Sequence, residues 1–463
     1  NFASGRYYNF SILNNPYISC VEVPTSEVTN WETRYSQYST IADNGIAFSD
    51  SCTGFRVPQS EREALVAIYK ATNGGEKIDA TTGVTWVGTN WSSDATELTN
   101  VGSWEGVTTE LINGQKHVTK IELTYYKNLS GSIPKEIKDL TELTRLDLSN
   151  GSITTLATEI GDLSKLTYLN LSSNKLTGLP VGIGNFTSLV ELNLTSQREN
   201  INTSQYTATL TSLPDEIGNI ATLEKLDLSN NGLTSLPVGI GNFTSLKELK
   251  LQYQRTSPVR GQPTYTLVSL PDEIGSITSL EKLYLNNNVL TSLPSTINGL
   301  TSLIELQIQG NELTVLPTTI GGLTSLEKLY LSQSNSNNNL TSLPDEIGDL
   351  TNLKELYIEN MRTYQLDGSY VYHLTSLPTT MNKLTSLEVL EASYSGIEGL
   401  VDLTNVTNLT RLQLNNNKIT DLKIDAPVSN FYASSNVSYY FNISNNPYIS
   451  CVEVPTSEVT NWE

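Results

Sequence analysis

Two histidines and three cysteines are all that this 463-residue chain has of the side chains that most often bind metals or attack substrates. His117 and His373 lie in unrelated stretches, and neither has a cysteine or a carboxylate pair at metal-ligand spacing. No glycine-rich phosphate loop and no nucleophile elbow occurs. These gaps argue against an enzyme, and no cofactor is expected. Basic residues are scarce as well: 28 Lys and Arg stand against 48 Asp and Glu, a formal charge of -20. Nucleic acid and an anionic membrane are therefore unsuited partners, while a soluble extracellular protein fits at least as well as a cytosolic one. No apolar run approaches the ~20 residues that cross a bilayer as a helix. The chain starts at Asn1 without a leader or a Met, so it is expected to be a processed product or a fragment, and the missing signal says nothing about secretion.

What the chain does have is repetition. Thr278–Leu300 and Thr301–Leu323 carry apolar residues at the same places, 23 residues apart. Leu280, Leu283, Leu285, Leu290, Leu293 and Ile297 answer to Leu303, Leu306, Ile308, Leu313, Leu316 and Ile320, and Asn288 answers to Asn311. In Leu-x-Leu, alternation with period 2 turns two leucines to one face and the middle residue to the other. A unit this small cannot bury its own apolar face, so units must stack. Stacked strands make a parallel sheet, with the leucines inside and the middle residues on an open concave face. The Leu-Pro-x-x-Ile-Gly half returns the chain along the convex side.

The pattern L-x-x-L-x-L-x-x-N-x-L resembles that of leucine-rich-repeat proteins over most of the chain. The resemblance implies an α/β leucine-rich-repeat solenoid with its parallel sheet on the concave face. Strand centres fall at Ile121, Leu146, Leu169, Leu192, Leu226, Leu249, Leu283, Leu306, Leu329, Leu356, Leu390 and Leu412, about 12 repeats. Most steps are near 23 residues, and three are longer by 11. Eleven steps of about 4.8 Å predict a sheet on the order of 50 Å long.

Asn14–Glu32 and Asn445–Glu463 are identical over 19 residues, at an offset of 431. Either the parent is a tandem array of such units, which we favour, or one cap was duplicated within a single molecule. In the array, Cys451 is the counterpart of Cys20, and its partner would follow Glu463 as Cys52 follows Cys20. Cys20 and Cys52 are expected to form a disulfide worth about 3 kcal/mol, the alternative being two free buried thiols. The segment NPYISCVEV…NWE…AFSDSC resembles the last repeat and cap of secreted bacterial leucine-rich-repeat proteins. Pro58 and Gln59 read as a short linker, and from Ser60 the spacing of Leu65, Ile68 and Tyr69 predicts a helix. With Trp86, Trp91 and Trp104 it resembles the N-terminal cap of plant-type repeat ectodomains, without the cysteine pair usual there. The expected division is residues 1–58, C-terminal cap of a preceding unit; 59–117, helical N-terminal cap; 118–430, solenoid; and 431–463, a disulfide-containing C-terminal cap whose end duplicates residues 14–32.

Three insertions follow the strands at Leu194, Leu251 and Ile358 and leave from one edge of the sheet. Each has an Arg early (Arg198, Arg255, Arg362) and a Tyr late (Tyr206, Tyr265, Tyr372). These residue types are enriched at interfaces, so the insertions are candidate contacts, against the alternative of hairpins resting on the scaffold. On the concave face Tyr284, Tyr330 and Tyr357, with Gln307 among them, offer flat faces suited to a glycan or an extended peptide; the plain alternative is that tyrosine is favoured on strands. A neighbouring column alternates Glu191, Lys225, Glu248, Lys282, Glu305, Lys328 and Glu355, as cross-strand pairing would.

The sequence thus points to a non-enzymatic extracellular cell-surface or fibre protein, acting in adhesion or structure through units joined head to tail. Its partners would be neighbouring copies of the same unit. The alternative is an ectodomain that recognises a glycan or protein ligand on the concave face and the insertions.

Overall fold

The structure, a computed structural model, describes residues 20–22, 47–49, 57–72, 101, 104–124, 129–202, 205–256, 264–332, 340–365, 367–431 and 440–459, the first two segments as backbone. A 14-stranded sheet runs through it. All twelve expected strand centres lie in it, each directly beside the next: Leu226, Leu249, Leu283, Leu306, Leu329 and Leu356 form one row in register. The long steps do not disturb this, since Leu192 still pairs with Leu226 across 34 residues. One-residue slippage would turn every leucine outward, so burial fixes the register. The central leucines are fully buried, and one continuous apolar core extends from Val57 to Phe431. A further parallel strand, Phe441–Asn442, adds to Leu412–Gln413 beyond the twelfth expected one.

The convex side is built from short 3-10 helices, one in each of the first ten repeats, such as Asp215–Asn219, Ser295–Gly299 and Thr318–Gly322. Proline in extended conformation precedes most of them, holding the backbone one residue before the turn. The isoleucine at the third position, Ile217, Ile297 or Ile320, fills the core from this side. The Asp-Glu pairs of LPDEIG occupy the first turn, where acids suit the N-terminal dipole. Successive helices approach closely: a Cβ on Gly218 would lie 1.7 Å from the Gly239 carbonyl oxygen.

Polar groups at the inner turn are handled by a ladder. Asn288 is fully buried; its Nδ2 donates to the carbonyls of Leu285 (2.8 Å) and Leu251 (3.0 Å), and its Oδ1 accepts the Gln254 N–H (2.9 Å). Asn174, Asn231, Asn311, Asn417 and Asn446 bond likewise between neighbouring turns. Gln197 and Gln254 take the same rung immediately before the first two insertions. The residue before each rung sits at positive φ, for example Asn230, Asn287 and Asn416.

At the N-terminal end the helix Gln59–Ala71 begins one residue earlier than expected, so Gln59 is helix and not linker. It packs against Lys135–Asp139 and Ser130–Ile133. Glu61 is buried there, accepting the Val118 N–H (2.8 Å) and contacting His117 Nδ1 (2.5 Å). Burial raises the Glu61 pKa, and these two partners offset part of the rise. The strand Val107–Ile112 runs antiparallel to Gln115–Glu122 and closes that end of the sheet, with Trp104 buried beside it. Trp86, Trp91 and Cys52 lie outside the described residues, as does the expected Cys20–Cys52 bond; Cys451 is an exposed free thiol.

Candidate binding surface

The concave row reads Lys250, Tyr284, Gln307, Tyr330, Tyr357 and Glu391, each residue in register with the next. Adjacent strands bring the Tyr330 and Tyr357 rings into a parallel stack, 4.7 Å between centroids and 5° between planes. Their hydroxyls donate to the same atom, Glu355 Oε2, at 3.3 and 3.1 Å. Lys328 Nζ holds the other oxygen of Glu355 at 2.8 Å. A second carboxylate, Glu305, receives Gln307 Nε2 (2.6 Å) and the Tyr284 hydroxyl (3.4 Å). All four expected concave residues are thus fixed by two acids of the neighbouring column, which supplies anchors as well as cross-strand charge pairs.

The electrostatics follow from this arrangement. Burial, then the carboxylates of Glu305 and Glu248, push the Tyr284 hydroxyl up to about 12. Burial and Glu355 raise Tyr357 to about 12 and raise Tyr330 as well. Burial alone would raise Glu355, but the Lys328 hydrogen bond and charge outweigh it and hold the carboxyl below its usual range. The tyrosines are therefore neutral donors over any ordinary pH.

Farther along the sheet, Glu359 and Glu391 share a site with Arg411, whose Nη2 lies 2.5 Å from Glu391. Burial and the adjacent Glu391 carboxylate push Glu359 up to about 7.

The three insertions are antiparallel hairpins: Arg198–Asn202 with Gln205–Ala208, Arg255–Thr256 with Thr264–Tyr265, and Arg362–Tyr364 with Tyr370–Tyr372. The first two pack against one another. Arg198 lies over Tyr206, 4.8 Å from the ring centre. Arg255 is opposite Tyr265 in register but lies over Tyr253 (5.0 Å). Arg362 is opposite Tyr372, and its guanidinium instead rests over Tyr370 (4.0 Å) and Tyr394 (4.3 Å). Tyr372 lines an open depression of about 210 Å³ with Gly396, Asn416, Asn417, Lys418 and Asn445.

Family models meet this geometry. One described as "Leucine-rich repeat region" matches residues 261–422, and "Leucine rich repeat" models match residues 106–198 and 222–243. The chain belongs to the leucine-rich-repeat proteins. No curated protein matches it in sequence. The solved structure of the Leptospira interrogans leucine-rich-repeat protein LIC12759 is 28% identical, with 74% of this chain and 92% of that chain covered and a TM-score of 0.44. The PEPR1–AtPEP1 crystal structure is 23% identical over 86% of this chain and 52% of that chain, with a TM-score of 0.53. The Arabidopsis receptor kinase HAESA, solved with the peptide hormone IDA and the co-receptor SERK1, is 27% identical over 70% and 49%, with a TM-score of 0.49. This leucine-rich-repeat chain thus spans about half the length of each of those two structures.

Several contact residues escape a reading of the repeat pattern. Glu305 and Glu355 look like members of a solvated charge column, and only the ring geometry shows them anchoring tyrosines. Tyr253 and Tyr394 carry a signal that could have been found: both occupy the positive-φ position that Asn, Ser or Gly fills elsewhere in this leucine-rich-repeat chain. A bulky residue at φ near +56 to +59° is strained, and each of these two lies under a hairpin arginine.

Proposed function

We propose that this chain is a non-enzymatic extracellular recognition and adhesion protein that binds an extended polypeptide or glycan along its concave sheet. The observation that carries this reading is the Tyr330–Tyr357 stack, locked by Glu355 on a rigid sheet beside Tyr284 and Gln307. Aromatic side chains already held in one geometry lose little conformational freedom on binding and present flat apolar faces with hydroxyl handles. The Arg–Tyr hairpins add contact area on the flank of the same scaffold. A peptide library and a glycan panel screened on the wild type and on Tyr330→Ala/Tyr357→Ala test the reading. Ligands that weaken at least tenfold on the double variant are expected, about 1.4 kcal/mol or more. Equal binding by both proteins would reject the concave face.

A second reading is favoured by a separate observation, the 19-residue identity between residues 14–32 and 445–463. It makes the chain one unit of a head-to-tail array serving adhesion or extracellular structure. The two readings are compatible, because the array uses the ends of the solenoid and the ligand uses its face. Imaging of native material, with its intact mass, tests the array: filaments with a mass that is a multiple of one unit support it, and single-unit particles reject it.

A further inference from the structure

Beside the main sheet runs a smaller parallel one, Glu398–Leu403, Lys418–Ile424 and Cys451–Glu453, in that order. Cys451–Glu453 is its last strand, paired with Asp421–Lys423 on one side. Among the described residues nothing pairs with its other side, and Cys451, Val452 and Glu453 are all exposed. The Ser450 N–H bonds to the Thr420 carbonyl (2.8 Å). By the alternation of a strand, the N–H groups of Cys451 and Glu453 then point to the open side. An exposed edge of this kind is a template for another strand.

The same three residues occur a second time as Cys20–Glu22, inside the identical 19-residue segment. There the strand has a parallel partner, Ala47–Ser49, in the register Cys20↔Ala47, Val21↔Phe48 and Glu22↔Ser49. One copy of the segment thus carries the neighbour that comes before it in the chain, and the other carries the neighbour that comes after.

We infer that the open edge of Cys451–Glu453 is the docking site for a strand of the Ala47–Ser49 sequence supplied by the next unit of the array, in which residues 445–463 take the place of that unit's residues 14–32, in the register Cys451↔Ala47, Val452↔Phe48 and Glu453↔Ser49. Among the described residues the strand at the C-terminal end has only one of the two neighbours that its sequence takes, and the junction adds the other by strand addition, with main-chain hydrogen bonds supplying the affinity. The occupant is the unit's own sequence because that sequence is what covers the identical strand elsewhere in the molecule. In the paired register Phe48 is the residue whose N–H and C=O face Cys451 and Glu453. This inference rests on the head-to-tail reading and is independent of the concave face.

The test uses the full chain and a fluorescent peptide of residues 41–57 with Cys52→Ser, followed by anisotropy. One peptide should bind per chain, and binding should fall at least tenfold with Glu453→Pro, which removes an outward N–H, while Glu453→Gln, which gives up only the charge paired with Lys423 (3.0 Å), should bind as the wild type does. Glu22→Pro, in the identical strand at the other end, should leave binding unchanged. A peptide with Phe48→Pro should not bind the wild type, a control that needs no altered protein. Failure of the wild type to bind, or equal loss from Glu453→Pro and Glu22→Pro, would overturn the assignment. The array itself is judged separately by the mass of native material. Filaments without peptide binding would refute the register alone, and peptide binding with single-unit particles would refute the array alone.

Discussion

Replacing Asn288 by Ala should cost about 3–5 kcal/mol and should do so locally. Asn288 is fully buried and makes three hydrogen bonds of 2.8 to 3.0 Å, joining its own turn to the one before it. Each bond contributes about 1–1.5 kcal/mol net, and a buried donor left without a partner costs about 1–3 kcal/mol. Alanine fills none of these roles: it leaves the Gln254 N–H facing a small void, while the Leu285 carbonyl keeps Asn311 Nδ2 (3.0 Å) and the Leu251 carbonyl keeps Gln254 Nε2 (3.3 Å). In a solenoid each repeat contacts only its neighbours, so the damage should stay near the lost rung. Urea unfolding gives the total, and amide exchange gives its distribution. Amides of Leu251 to Leu290 should exchange faster, while those around Asn417 keep the wild-type rate. A loss below about 1 kcal/mol, or faster exchange spread evenly along the chain, would refute the ladder as a set of local struts.

Four other outcomes are expected. The folded state raises Glu359 from 4.5 to about 7, so its contribution to stability is fully present below pH 4.5 and is lost as pH rises through about 7. Glu359→Gln should therefore melt higher than the wild type at pH 8 and equal to it near pH 4, by thermal scans across that range. Tyr284 and Tyr357 should ionise near pH 12 in ultraviolet titration of the folded protein, above the ordinary value of 10. The stability they contribute is complete below pH 10 and declines as pH climbs to about 12. Gly218→Ala should destabilise by about 2–4 kcal/mol in urea, because its Cβ would collide with backbone rather than a side chain that can turn away. The loss of ligand from Tyr330→Ala/Tyr357→Ala should leave the melting temperature within a few degrees of wild type, since both rings are only half-buried.

The repeat pattern made the scaffold legible because the physics there is local and periodic. Leu-x-Leu fixes which face is buried, and stacking then leaves one register, so strand centres 34 residues apart still align. The hairpins were visible as interruptions of the period. What the pattern did not reveal were contacts between periods. Arg362 reaches diagonally to Tyr370 and across to Tyr394 in the next repeat, while its directly opposed residue is Tyr372. The Glu61–His117 contact joins residues 56 apart through the closing helix, and no spacing rule connects them. Glutamine on the ladder at Gln197 and Gln254 went unread because it departs from the Asn consensus by one methylene, yet it marks where the first two hairpins leave.

That glutamine rung separates two kinds of change. At Gln197 the side chain closes the hydrogen bonds between turns just before the chain departs into its hairpin at Arg198, and the main sheet resumes in register 34 residues after the previous strand. The scaffold is thus complete without reference to what the hairpin contains. Sequence at the hairpin tips and along the concave row should therefore change at a smaller cost in stability than the buried rungs and leucines do. The molecule is in this sense a rack with interchangeable fittings, and related chains would be expected to differ most at those fittings while keeping the rack.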